Sequence, residues 1–321
     1  MNMKLKILIS VCCLLYSICD IAAQKEKSSY ASVGINVGMT SLGFSVTELD
    51  GSDGSAKSKI GAGVNVKYNY YFNSSWGIGT GIGLSMYKSD ALLNGGMNGN
   101  NTTYPLGSYV DDDDSGLPQN FELRGRLENI KEKQNIQLFE IPVTILYQKR
   151  FSYGKWGAYG NLGIKIQMPV VKKFEVASNT ESKLNVSGYY TDGTQGFDMG
   201  APGTPELPYH GFGTVSNPGK ALSWKNDTEL KLGIAGTFEA GALHRLNNES
   251  DFLFGLYIDY GFSDIKNSNI ELLSGPADSY HPDANDNIGK GIIYNGLLNS
   301  NNTDKITPLS FGVKIGLRFK L

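Results

Sequence analysis

Phe311-Gly312-Val313-Lys314-Ile315-Gly316-Leu317-Arg318-Phe319-Lys320-Leu321 alternates without a break, large apolar side chains at odd positions and Gly, Lys or Arg at even ones. A period of two marks a β-strand with one apolar and one polar face. Filling the end of the chain, it reads as the closing strand of a β-barrel, whose other strands should carry the same alternation.

Seven earlier segments do. Strand one starts near Tyr30, with Val33, Ile35, Val37 and Met39 opposite Gly34, Asn36, Gly38 and Thr40. Strands two to seven follow at about 57–71, 76–86, 136–151, 156–168, 228–245 and 252–262. The connections after strands two, four and six are short turns. Those after one, three, five and seven are long, about 41–56, 88–133, 170–225 and 265–304. Structureless loops of that length count against an ordinary compact domain, but membrane barrels have short periplasmic turns and long extracellular loops. Eight strands also put both chain ends on the short-turn side.

Alternation does not say which face meets solvent, because a soluble lipocalin-type barrel is apolar inside. Three features favour the inverted arrangement. Aromatics sit on the apolar face near the short turns (Tyr70, Trp76, Tyr147, Phe151, Trp156, Phe252) and near the long loops (Phe262, Phe311), as two interfacial girdles would. The polar face is rich in glycine, which suits a cramped lumen. The chain is secreted, free of cysteine once processed, and ends on a strand. The clear charges of apolar parity, Lys149 and His244, adjoin short turns, where a charge facing lipid costs about 0–1 kcal/mol rather than the about 2–4 of the bilayer centre.

The polar parity places Lys67, Glu140, Lys165, Glu229, Lys231, Glu239, Asp259, Lys314 and Arg318 in the lumen. An eight-stranded barrel is just wide enough for its side chains, so these charges should pair as a plug rather than line an open pore. Glycines 61, 63, 77, 79, 81 and 83 lie on strands two and three, across the barrel from Glu239, Tyr257 and Asp259. Large polar side chains are expected to fill the space the glycines leave.

Residues 1–23 read as a signal peptide: Lys4 and Lys6 precede an apolar core from Ile7 to Cys19, and Ala22-Ala23 form a small-residue cleavage site. The barrel domain is then 24–321. Cys12, Cys13 and Cys19 all lie in the leader, so disulfide scaffolds and Cys-ligated metals are excluded from the mature chain. The rival reading of Cys19 as a lipoprotein acceptor meets Tyr16 where Leu is usual. Forty glycines and eighteen tyrosines suit a turn-rich all-β protein. The 29 basic and 31 acidic residues become 27 and 30 without Lys4, Lys6 and Asp20, and nothing in that balance suggests nucleic acid as a partner.

Catalysis on lipids or peptides needs a histidine beside a serine or carboxylate. His210 and His281 fall on long loops and His244 near a short turn, none in such an arrangement, so no enzyme and no cofactor are expected. Asp111–Asp114 lack the spacing of a calcium loop and read as a solvated face, or as a bridge to lipopolysaccharide through divalent cations. The Asn101-Thr102-Thr103 sequon is uninformative without a glycosylating compartment.

The runs Phe139-Glu140-Ile141-Pro142-Val143, Gly188-Tyr189-Tyr190 and Leu256-Tyr257-Ile258-Asp259-Tyr260-Gly261 resemble those of Bacteroides-type outer-membrane β-barrel proteins, related in form to the OmpA membrane domain and OmpX. The resemblance covers essentially the whole mature chain. It implies an all-β, eight-stranded antiparallel up-and-down transmembrane barrel in the bacterial outer membrane, with four long extracellular loops and no catalytic residues. It further implies that Phe319 and Leu321 belong to the signal read by the barrel-assembly machinery. Unlike OmpA-like members with a C-terminal peptidoglycan-binding domain, this sequence ends on its last strand, so no cell-wall tether is expected. The expected role is a surface protein serving envelope integrity, touching outer-membrane lipids, lipopolysaccharide and an extracellular ligand through its loops. A narrow porin or small-solute transporter is the alternative, and a lipid-modifying barrel enzyme ranks below both.

Overall fold

The computed structural model describes residues 27–44, 54–93, 104–111, 119–152, 154–177, 181–190, 213–218, 224–275 and 291–321. The leader, the sequon, Asp112–Asp114, His210 and His281 lie outside the described residues.

The alternating segments form β1 (Ser28–Gly43), β2 (Gly54–Tyr71) and β3 (Trp76–Leu93), then β4 (Tyr104–Asp111) and β5 (Gln119–Glu128). There follow β6 (Ile130–Arg150), β7 (Trp156–Val176), β8 (Lys183–Tyr190), β9 (Gly213–Ser216) and β10 (Lys225–Asp227). The last are β11 (Gly233–Arg245), β12 (Ser250–Gly261), β13 (Leu273–Ser274), β14 (Ile293–Tyr294) and β15 (Thr307–Lys320). Eight of them close a ring in chain order, β1-β2-β3-β6-β7-β11-β12-β15 and back to β1, with every neighbour antiparallel. This is an up-and-down barrel. The seam pairs β1 with β15 from Tyr30↔Lys320 to Gly43↔Thr307. Its middle is a glycine pair: a Cβ on Gly38 would lie 2.1 Å from the Phe311 carbonyl oxygen, and one on Gly312 would lie 2.2 Å from that of Val37. A larger side chain at either position would push the closing strands apart.

The apolar face points outward. Val33, Val64, Ile82, Val143, Leu162, Phe254, Leu256 and Ile315 are all exposed, while Ser32, Asn36, Lys67, Glu140, Glu239, Asp259 and Lys314 are buried. A soluble barrel would show the reverse. Along β12 the outer band runs from Phe252 to Phe262. At about 3.4 Å per residue and a tilt near 40°, those ten steps climb about 26 Å, close to the ~25 Å apolar band of a membrane barrel. The lower rim carries Trp76 on Tyr147, rings 4.9 Å apart, and Trp156 on His244 at 4.4 Å.

β6 and β7 are 21 residues long, about twice what the band needs. Their far halves, with that of β3, leave the membrane and are met by a four-stranded sheet β4-β5-β8-β9. Between them lies an apolar core that includes Leu93, Leu106, Leu123, Ile130, Phe174, Leu184, Trp224 and Tyr294. The described parts of the second and third long connections thus form a headpiece, and the fourth contributes β13, β14 and a short 3-10 turn at Leu297–Asn299. Strand six is shorter than its alternation predicts. After β10 the chain leaves the sheet at residues 228–232, and Leu230 buries its side chain beside Ile265 and Leu298 instead of facing outward.

The face assignment predicts that Leu256→Arg, at the middle of the outer band and 64% exposed, lowers barrel stability in lipid vesicles by about 2–4 kcal/mol. Denaturant unfolding reads the change, and an unaltered midpoint would place that face in water.

Candidate functional site

The lumen is organised in three levels. At the level of the short turns, Arg318 is 2% exposed. Its Nη2 donates to Asp251 Oδ2 at 2.7 Å and its Nη1 to Gln148 Oε1 at 2.9 Å and Tyr71 Oη at 3.2 Å. Arg150 completes the group with two bonds to Asp251, 2.8 and 2.7 Å long, and the Arg318 guanidinium lies 4.3 Å over the Tyr30 ring.

In the middle, Glu239 accepts from Lys314 at 2.8 Å, Lys67 at 3.2 Å and the Tyr159 hydroxyl at 2.9 Å. β2 and β11 stand opposite each other in the ring, so the Lys67–Glu239 pair spans the barrel. At the upper level Lys165 bridges Asp259 at 2.7 Å and Glu140 at 3.0 Å. Glu140 also accepts from Ser85 and Gln167, each at 2.9 Å. Each cation therefore faces a carboxylate, which offsets the several kcal/mol an unpaired buried charge would cost.

Among the described residues the lumen retains small cavities, including one of about 20 Å³ lined by Asn69, Lys67 and Arg318 and another of the same size lined by Asp259, Glu140 and Lys165. Each has room for about one water molecule. Above Lys165 the inner face turns apolar. Leu42, Tyr87, Ile136 and Leu138 from the barrel meet Leu230, Ile265, Leu298 and Ile306 from the connections and form a cap.

Further out, Glu132 ties the fourth connection to β6. It accepts from the Tyr294 hydroxyl at 2.9 Å, the Leu297 N–H at 2.8 Å and Gln134 Nε2 at 2.7 Å. Burial pushes its carboxyl above the usual range, against the pull of these three donors.

Of the residues that parity assigns to the lumen, Lys67, Glu140, Lys165, Glu239, Asp259, Lys314 and Arg318 make these contacts. Glu229 and Lys231 do not: both are exposed, because the chain has left the sheet there, and Lys231 stands 3.8 Å from Asp264. The space at the glycines is also filled differently from expectation. Asn36 and Ser85 crowd Gly63, and Asn69 and Thr144 crowd Gly79, whereas Lys314 reaches Gly34 and Tyr159 reaches Gly255. Arg150 and Asp251 escape the sequence reading: Arg150 has lumen parity inside the strand read at 136–151 but is not singled out, and Asp251 lies one residue before the strand read at 252–262.

The His244 ring lies tilted against that of Trp156, and its Nδ1 is buried with no hydrogen-bond partner among the described residues. Among the described residues, no group of three or more His, Asp or Glu is placed to hold a metal ion. Phe319 and Leu321 are exposed on the outer face at the seam, with the Leu321 N–H bonded to the Ser29 carbonyl at 2.9 Å.

The profile of a family described as outer membrane protein beta-barrel domain matches residues 22–267. The chain belongs to that family, and its place is the bacterial outer membrane. A search of curated proteins gives no match. Among solved structures, OprG from Pseudomonas aeruginosa is 12% identical with a TM-score of 0.36, covering 92% of this chain and 98% of its own. Neisserial surface protein A is 10% identical with a TM-score of 0.33, covering 92% and 100%. Ail of Yersinia pestis, in complex with the heparin analogue sucrose octasulfate, is 12% identical with a TM-score of 0.29, covering 91% and 99%.

The middle level predicts a cooperative loss. Glu239→Ala strands Lys67 and Lys314 together and should destabilise the barrel by about 3–5 kcal/mol. Adding Lys67→Met and Lys314→Met should recover part of that in the same unfolding assay. A single-site loss below 1 kcal/mol, on the order of a surface ion pair, would mean that the three do not act as one group.

Proposed function

We propose that the chain is a non-enzymatic surface barrel, a closed anchor that carries its headpiece outside the cell. The observation behind this reading is the lumen, crossed by mutually paired charges and covered by an apolar cap. Such a barrel supports the envelope mechanically and offers its outer sheet, rather than a pore, to external partners. We assign it to the Bacteroides-type, OmpA- and OmpX-like branch on the runs quoted above. Residues 1–23 act as the export signal, and the mature domain begins at Gln24.

The partners of this reading are outer-membrane lipids and lipopolysaccharide around the barrel, an extracellular ligand at the headpiece, and the barrel-assembly machinery at the last strand. A narrow porin is the weaker reading, since solute would have to displace the Glu239 and Lys165 groups and the cap together.

Two outcomes are expected in cells that make the protein. Phe319→Ser with Leu321→Ser lowers the amount of folded barrel in the outer membrane several-fold by immunoblot, and unchanged amounts would remove these residues from the assembly signal. Deleting the gene raises uptake of a hydrophobic dye, and re-expression of the full chain reverses it. Equal uptake with and without the gene contradicts the envelope role.

A further inference from the structure

We propose that a band of lysines on one side of the barrel, immediately above the apolar belt, binds the phosphate groups of a glycolipid in the outer leaflet. This deepens the lipid contact proposed above and rests on it.

The band follows from register. Lys88, Asn135 and Lys173 stand in one cross-strand row on β3, β6 and β7. The next outer row toward the membrane is Met86, Gln137 and Val171, and the one below it is Leu84, Phe139 and Met168. Each row is about 7 Å along the strand from the next, so the lysine row begins where the hydrocarbon-facing surface stops. That is the depth of lipid headgroups. One row further out, Lys57, Asp90, Lys133, Glu175 and Lys225 follow each other across β2, β3, β6, β7 and β10.

Charges in this band do not balance. Asp90 is taken by Lys59 at 2.9 Å and Lys131 at 3.1 Å, and Glu175 lies 3.8 Å from Lys225. Lys57, Lys88, Lys133 and Lys173 are exposed and have no carboxylate within ion-pair distance among the described residues. The other side of the barrel differs. There Lys231, Lys266 and Lys305 stand among Glu229, Asp264 and Asp304. A cross-strand charge ladder sets Lys57 and Lys133 opposite Asp90 and Glu175, and Lys173 opposite Asp227, without bringing any of these lysines to ion-pair distance, and it places only Asn135 opposite Lys88.

What those four can neutralise must be anionic and must sit at the edge of the acyl layer. A phosphorylated lipid headgroup satisfies both conditions, because its acyl chains would lie on Leu84, Phe139 and Met168 directly below. Lysine is suited to phosphate as a mobile point charge with three donors.

The test uses the full chain refolded in phosphatidylcholine vesicles containing diphosphoryl lipid A or its dephosphorylated form, with lipid A retained per barrel measured after detergent extraction. Each lysine near an anionic surface is worth about fivefold in affinity. The variant Lys57→Ala/Lys88→Ala/Lys133→Ala/Lys173→Ala should therefore bind the phosphorylated lipid at least about a hundredfold less tightly. Lys→Arg at the same positions should restore retention, and Lys231→Ala/Lys305→Ala should leave it unchanged.

Heat-dependent gel mobility reports separately whether each variant is a folded barrel. If the quadruple variant is not, Lys88→Gln/Lys173→Gln gives the same readout with a smaller loss. Equal retention by wild type and the quadruple variant, or equal retention of the two lipid forms, would overturn the proposal. So would intact lipid retention accompanied by lost capture of soluble dextran sulfate, which would give the band to a soluble polyanion.

Discussion

Hydrocarbon offers no hydrogen bonds, so every backbone N–H and C=O that crosses it must be paired within the protein. For strands the solution is a ring without edges. Here β15 meets β1 on one side and β12 on the other, and the glycine pair at Gly38 and Gly312 lets the seam strands lie close. The alternation of Phe311–Leu321 follows from the same constraint, since a residue on such a ring faces either lipid or lumen.

The barrel changes character at one height. Within the belt the outside is apolar and the inside polar, with Glu239, Lys165 and Arg318 each held by several partners. Above it Lys88, Lys133 and Lys173 take the outer face, and Leu42, Tyr87, Ile136 and Leu138 the inner one. The strands run on through this exchange without changing register except at the bulge between Gln137 and Leu138 on the β6–β7 side and at 58–62 on the β2–β3 side. One set of strands therefore serves two solvents: a membrane barrel below, and an ordinary hydrophobic core above that joins the barrel to its headpiece.

The spanning strands were legible in sequence because burial on one face and lipid on the other impose the same parity from end to end. Parity also located most of the lumenal charges. It failed at Glu229 and Lys231, where Leu230 is drawn into the cap and the chain leaves the sheet. It stopped one residue short at Asp251 because strand ends carry no sharp signal, and it passed over Arg150, which has lumen parity at the last turn-side position of its strand. The headpiece was hidden for a different reason. Its core joins Leu106, Leu123, Leu184 and Trp224, which lie far apart in sequence; β5 does alternate, Leu123 and Leu127 against Glu122, Arg124, Arg126 and Glu128, but inside a long connection that signal did not reveal which strands it would pair with. The cap did leave a trace, since Ile136 and Leu138 break the polar parity of their strand.

Side chains, not an open channel, occupy the inside of this barrel. Single-channel recording of the purified full chain in planar bilayers tests it most directly. With the charge groups and the cap in place, the baseline should show no stable openings across moderate voltages. A large, steady conductance would show that the charge groups and the cap do not close the lumen, and would contradict it.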